Sequence, residues 1–243
     1  MAIADNRLQA MRVGGKHLGT IRRSLISMLV PGFDLIEIEI EAQKKIRAIG
    51  AIPNFAAINQ YGFATCLMVN DEVVHVKPRH RILKKGDLVT VDVGLSWQGW
   101  HLDTADSLLV AEKDDRFAAT GRTALKKAIT QAIVGNRVGH ISQAMQKVIE
   151  SNGYSAVRKY CGHGIGRSLH EEPQIFCFLD QPLEETMVLK EGMTIAVEVM
   201  MNEGGSNVVI ESDGWYCHTA DGSRSAQFEH TILVTKDGPE ILT

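Results

Sequence analysis

The chain has 243 residues, 44% of them hydrophobic and 23% charged, with a formal net charge of −3 at pH 7. Such a length buries a sizeable core, and the near-balanced charge excludes the strongly basic classes that bind nucleic acid or anionic membrane non-specifically. Residues 1–12 lack a signal-peptide pattern, and no apolar run is long enough to span a bilayer. Cys66, Cys161, Cys177 and Cys217 form no Cys-x-x-Cys pair, so reduced thiols in a cytoplasmic protein are expected, with Cys66 a possible pocket wall.

No linker, repeat or charge block divides the sequence, which reads as one catalytic unit over residues 1–243. Asp5 is placed as the cap of a helix running to about Val30, with Leu8, Met11, Leu18, Ile21, Leu25 and Leu29 on one side. Pro31-Gly32 ends it. Leu35 to Glu41 alternates like a strand, yet Asp34 and Glu37 have capping-box spacing and Ala42 to Ala48 is rich in helix formers, so a helix is predicted. Residues 64–69 and 88–93 read as strands. Asp115 to about Val134 and Ile141 to Ser151 read as amphipathic helices, with Leu125, Ala128, Ile129, Val148 and Ile149 facing inward. After Gly153 strands and turns dominate. Strands, then helices, then strands define an α+β fold.

The segments Asp87–Gly94 and Trp100–Asp106 flank a short polar stretch and predict a β-hairpin. With a two-residue turn at Trp97-Gln98, Asp92 and Asp103 fall directly opposite each other on one face, with Cβ atoms roughly 4.5–5.5 Å apart. Two carboxylates so close among valines must share a proton, meet a cation or bind metal. The alternative is a solvated hairpin face. Further along, His163 lies in a glycine-rich run, Glu198 sits inside the apolar strand 193–200, and Glu229 precedes another apolar strand. A glutamate in an apolar strand is rarely buried unpaired. Four carboxylates and a histidine suit two divalent ions, whose charge cancels theirs.

At these residues the sequence resembles the type I methionine aminopeptidases, of the pita-bread fold. The resemblance rests on Asn70–His75, the Asp92/Asp103 pair, Tyr160–Gly166 with His170–Pro173, and Ser225–Thr231, and it runs from the first helix to Thr235. It implies a pseudo-two-fold antiparallel sheet with helices packed on its outer face. It implies that Asp103 and Glu229 bridge two ions, that Asp92 binds one, and that His163 and Glu198 bind the other. A hydroxide activated by both metals would then remove the N-terminal, initiator methionine from peptides and nascent chains. Glu198 is similar to the family's proton shuttle, His170 to the histidine that steadies the tetrahedral intermediate, and His75 to the one that contacts the scissile amide.

The sequence departs from the family around the pocket. Val76-Lys77 follows His75 where Gly-Ile is usual, Val199 follows Glu198 where Pro is usual, and Leu169 precedes His170 where Phe is usual. Phe55, Ile58 and Tyr61 stand where the resemblance implies a cysteine and two aromatics, while Cys66 and Trp215 keep their places. These six side chains, Leu169 included, still form an apolar pocket for an unbranched thioether. The departures leave open a relative with X-Pro or broad selectivity, and a non-catalytic module on the same fold stands as the alternative outside enzymes. The mixed ligands admit Co, Mn, Fe or Zn. A monomer that visits the ribosome transiently is expected. His101 shares a face with Asp103 and is a candidate partner of the metal ligands.

Overall fold

The structure is a computed structural model describing residues 2–58 and 60–243, with side chains from residue 6. Two long hairpins form its frame. In the first half, β3 (Leu88–Trp97) pairs with β4 (Trp100–Leu109), and β1 (Ile52–Pro53) and β2 (Thr65–Val69) pair with β3. In the second half, β8 (Thr194–Asn202) pairs with β11 (Ser225–Thr235). The short strands β5 (Ser155–Ala156), β6 (Cys161–Gly164), β7 (Glu171–Phe176) and β12 (Gly238–Ile241) complete that antiparallel sheet. A small ribbon of β9 (Val208–Ile210) and β10 (Cys217–Thr219) stands apart.

Each half carries two helices and its own core. Helices α1 (Ala2–Ile26) and α2 (Ile36–Ala48) pack on the first hairpin through Met11, Leu18, Leu25, Ile38 and Ile46, which meet Leu67, Val91, Val93 and Leu102. Helices α3 (Arg116–Ile129) and α4 (Val138–Ser151) pack on the second through Phe117, Leu125, Ile141 and Met145, against Ile195, Val197, Val199 and Phe228.

Among the described residues no ladder joins the two sheets. Three hydroxyl side chains bridge β4 to β11 instead. Thr231 Oγ1 accepts from Asp103 N (3.0 Å) and donates to Asp103 O (2.8 Å). Thr104 Oγ1 donates to Glu229 O (2.9 Å), and Ser107 Oγ donates to Gln227 O (2.8 Å).

Helix bounds differ from the sequence expectation at four places, one being α4, expected from Ile141 and formed already from Val138. Helix α1 is already formed at Ala2, so Asp5 lies inside it, and its side chain is outside the described residues. The helix ends at Ile26 rather than near Val30, because Met28 and Leu29 turn to Leu25 O and Ile26 O in tight three-residue bonds. Helix α3 ends at Ile129 rather than near Val134; Ile133 and Val134 are 39% and 44% exposed, so their apolar character does not mark a core face. Asp115 caps it, accepting from Ala118 N at 3.0 Å. Helix α2 forms as predicted, but without the capping box: Asp34 Oδ1 accepts instead from Arg81 N at 2.9 Å.

One glycine in each half lets a helix lie close to its hairpin. A Cβ at Gly14 of α1 would fall 2.7 Å from Trp97 Cβ, and one at Gly121 of α3 would fall 2.1 Å from Phe228 Cε2. Gly121→Ala is therefore expected to destabilise the fold by about 1–2 kcal/mol: overpacking against a ring this close falls at about 2–3 kcal/mol, the upper part of the usual range, and better helix propensity returns about 1. Denaturant titration checks this, and an unchanged or raised midpoint would contradict the close approach.

Candidate metal centre and adjoining pocket

The four carboxylates come from the middles of the two long hairpins, one from each strand. In the second half Glu198 and Glu229 lie directly opposite each other in the β8–β11 register. Like charges facing each other across a ladder are destabilising unless a cation joins them. In the first half the expected pairing is corrected. The turn is Gln98-Gly99, with Trp97 opposite Trp100, so Asp92 faces Ala105 and Asp103 faces Gly94. Gln98 and Gly99 both have positive φ (53° and 79°), a turn that glycine favours at its second position. Placing the turn one residue later moves each partner by two, so the aspartates keep one face but sit on a diagonal rather than side by side.

His163 enters from β6. Its Nδ1 lies 2.9 Å from Gly164 O, where it donates, and this leaves the Nε2 lone pair free towards the centre, 3.9 Å from Glu198 Oε1. Ligand atoms of Asp103, His163 and Glu229 all lie within 4.8 Å of one another. Asp92 Oδ1 and Glu229 Oε1 are buried with no hydrogen-bond partner.

Burial dominates the electrostatics. It pushes Asp92 up to about 7, although contacts to Asp103, Cys66 and Gln227 pull the other way. Burial also raises Asp103, with Asp92 and Glu198 adding repulsion, and raises Glu198 and Glu229 well above the carboxylate range. Burial and then His170 lower His163 to about 4, so its imidazole is a neutral donor of electrons at pH 7. Orphaned carboxylate oxygens, mutual repulsion and a neutral imidazole are what a divalent-cation site requires, so the residues present fit one.

The centre forms one wall of a cavity of about 570 Å³. The same cavity is lined by Asp92, Asp103, His163, Glu198 and Glu229, by His75 and His170, and by Phe55, Ile58, Tyr61, Cys66, Leu169 and Trp215. The apolar side chains belong to a third core cluster spanning both halves, with Met68, Val76 and Ile165 behind them. Tyr61 packs against Trp215 with ring centroids 4.8 Å apart and planes tilted by 56°. His170 meets His163 edge-on at 4.5 Å, and His75 meets Tyr160 edge-on at 5.1 Å. His75 has φ of 61°, a left-handed conformation uncommon outside glycine and typical of functional positions. His101 donates its backbone N–H to Gly166 O, and its side chain makes no hydrogen bond to a metal ligand among the described residues.

Several residues shape the site without having stood out in the sequence. Gln227 Nε2 donates to Glu198 Oε2 at 3.2 Å, a neutral amide among four acids. Glu39, buried on α2, accepts from Ala64 N, Thr65 N and Thr65 Oγ1 at 2.6–2.9 Å and so fixes the strand that presents Cys66. Glu72, with no exposed side-chain surface, binds Arg79 and Arg81 and accepts from Tyr216 Oη (3.1 Å) and Val69 N (2.9 Å). It ties the His75 loop to the loop that carries Trp215. For Gln227 alone a signal existed, since it alternates with Glu229 on the same strand face.

Fold and site define a metal-dependent hydrolase. The sequence matches the profile of metallopeptidase family M24 over residues 9–236. It is 36% identical over 239 residues to methionine aminopeptidase 1 of Bacillus subtilis, covering 97% of this chain and 96% of that one. The crystal structure of methionine aminopeptidase from Thermotoga maritima superposes with a TM-score of 0.94 at 40% identity, covering 98% of this chain and 96% of that one. Prolidase from Pyrococcus furiosus shares the fold at a TM-score of 0.78 and 19% identity, over 98% of this chain and 64% of that one. The chain belongs to metallopeptidase family M24, among its methionine aminopeptidases.

The centre sets the pH dependence of the metal-free protein. The carboxylates have folded pKa values above their unfolded ones, so their contribution to stability falls as pH rises. Buried His75, His163 and His230, each lowered to about 4, act in the opposite sense, but only up to their unfolded value near 6.5. Above pH 6.5 the carboxylates dominate, and His218 and the buried cysteines, whose pKa values are also raised, act in the same sense. Denaturation midpoints of metal-free protein should therefore drop between pH 6.5 and 8.5, and added Mn²⁺ should raise the midpoint more at pH 8.5. A midpoint that climbs across this window would contradict the assignment.

Proposed function

We propose that this protein removes the N-terminal methionine from peptides and nascent chains. The observation that carries the reading is one cavity in which an apolar, thioether-sized pocket adjoins a carboxylate–histidine metal centre. Asp92, Asp103, His163, Glu198 and Glu229 would hold the two ions between them. When bound, the ions polarise the scissile carbonyl and lower the pKa of water. Phe55, Ile58, Tyr61, Cys66, Leu169 and Trp215 hold the methionine side chain and exclude water from it. His75 positions the scissile amide. His170, a neutral imidazole because burial lowers its pKa, donates to the negative charge that develops on the carbonyl oxygen. Glu198 carries the proton to the leaving amine; Gln227 keeps one of its oxygens oriented for that task.

A second reading, an aminopeptidase of altered selectivity, is favoured by Lys77. Its Nζ sits 5.1 Å above the Trp215 ring and 5.9 Å above Tyr61, placing a cation against two pocket walls. Met-Ala-Ser, Met-Gly-Ser, Leu-Ala-Ser and Ala-Pro-Ser with Co²⁺, Mn²⁺, Fe²⁺ or Zn²⁺ separate the two readings. Methionine release is expected to exceed leucine release by at least roughly tenfold, a branched-versus-linear difference worth about 1–3 kcal/mol. Faster cleavage of Ala-Pro-Ser would favour the second reading, and no release from any Met peptide would overturn the first.

Two ions per chain are supported by the count of four buried carboxylates, and their identity among Co, Mn, Fe and Zn is left to availability. Metal analysis after saturation should give close to two ions per chain; a single ion that suffices for full activity would contradict this part. The cavity is completed within one chain, which supports a monomer. A cytoplasmic enzyme in transient contact with the ribosome fits four free cysteines and a nascent-chain substrate. No helix among the described residues is long and apolar enough to cross a membrane.

A further inference from the structure

On the face of the β4–β11 seam opposite the metal centre, α1 and α3 leave a groove of about 460 Å³. Its floor is Asp106, Phe228 and His230, and its walls are Arg22 on one side and Arg122, Leu125, Lys126 and Ile129 on the other, with Ile241 at one end. Its charges do not balance. Asp106, the only carboxylate among the described lining residues, is ion-paired to Arg122, which also holds Asp114 at 2.6 Å. Arg22 and Lys126 form no ion pair among the described residues. Arg22 is only 9% exposed. Its Nη1 donates to Thr104 Oγ1 at 2.7 Å and lies 3.4 Å from His230 Nδ1, while its Nε is buried with no partner. A guanidinium so deeply placed ordinarily has its donors satisfied. Beside these cations the walls are apolar: Phe228 is fully buried beneath the groove, Leu125 and Ile129 are nearly so, and Ile241 is 50% exposed at its mouth.

We propose that this groove is a binding site for a monocarboxylate with a short apolar tail. Arg22 and Lys126 meet the carboxylate, and Leu125, Ile129, Phe228 and Ile241 carry the tail. The site is separate from the peptide cavity, from which the β4 and β11 strands divide it. It borders the carboxylate cluster through Arg22, which contacts Thr104 Oγ1 and His230 Nδ1, the neighbours of Asp103 and Glu229, and whose charge reaches Asp106 and Glu229.

Ligand-observed NMR titration of the full chain with acetate, butyrate and hexanoate tests the proposal, in both metal-free and Mn²⁺-loaded protein. Affinity should rise roughly fourfold or more for each added pair of methylenes. Hexanol and hexylamine should not displace hexanoate. Lys126→Glu places a carboxylate at the rim on an exposed side chain that the fold does not need, and it should weaken hexanoate by roughly fivefold or more. The ligand-free melting temperature of that variant confirms that it is folded. Three results would overturn the proposal: hexanoate binding seen only with metal present, which would place the carboxylate on the centre; equal binding of hexanol; or hexanoate affinity unchanged in Lys126→Glu.

Discussion

Four carboxylates buried within one small volume repel each other, and that repulsion is the condition under which everything else in this protein is built. Water cannot relieve it, because the strands that carry Asp92, Asp103, Glu198 and Glu229 are packed on their other faces by valines, leucines and isoleucines. Protons relieve it in part, which is why burial drives these groups so far above their ordinary range. Divalent cations relieve it fully while leaving the oxygens charged. A rigid scaffold of two hairpins, each backed by a helix pair, keeps the acids in place when neither is present.

The two halves solve the same problem with unlike registers. Glutamates face each other squarely across β8 and β11, whereas the shorter aspartates sit on a diagonal of β3 and β4. A longer side chain reaches the shared point from a position the shorter one could not use. His163 completes the set from a third strand, its tautomer fixed by the carbonyl of the next residue. The pocket draws on both halves too, with Phe55, Tyr61, Cys66 and Val76 from one and Ile165, Leu169 and Trp215 from the other. Selectivity and chemistry thus meet where the halves meet.

Much of this was legible in the sequence, and the reasons differ by residue. Acids inside apolar strands announce themselves, since burial without a partner is too costly to leave unexplained. The face shared by Asp92 and Asp103 could be read from alternation. Their pairing could not, because a one-residue shift of the turn preserves the face and changes the partner, and only the left-handed backbone at Gln98 and Gly99 decides it. Helix α2 shows propensity and capping signals prevailing over a seven-residue alternation. What stayed hidden is long-range: Gln227 on Glu198, Glu72 between two arginines and Tyr216, Lys77 over two aromatic rings, and Arg22 behind the strands that carry Asp103 and Glu229. Each is completed by a partner far away in the chain, and no local pattern encodes such a meeting.

The hydroxyl seam between β4 and β11 has a consequence for how this architecture changes over time. A backbone ladder is indifferent to side-chain identity, so its spacing cannot be tuned one codon at a time. Here Thr104, Ser107 and Thr231 set the distance between the aspartate-bearing and glutamate-bearing sheets. Replacing any one of them by a residue without a hydroxyl would remove a bridge between the sheets while the ladders within each sheet stayed intact. The joint between the aspartate-bearing and glutamate-bearing sheets is therefore open to change one side chain at a time, without rebuilding either half.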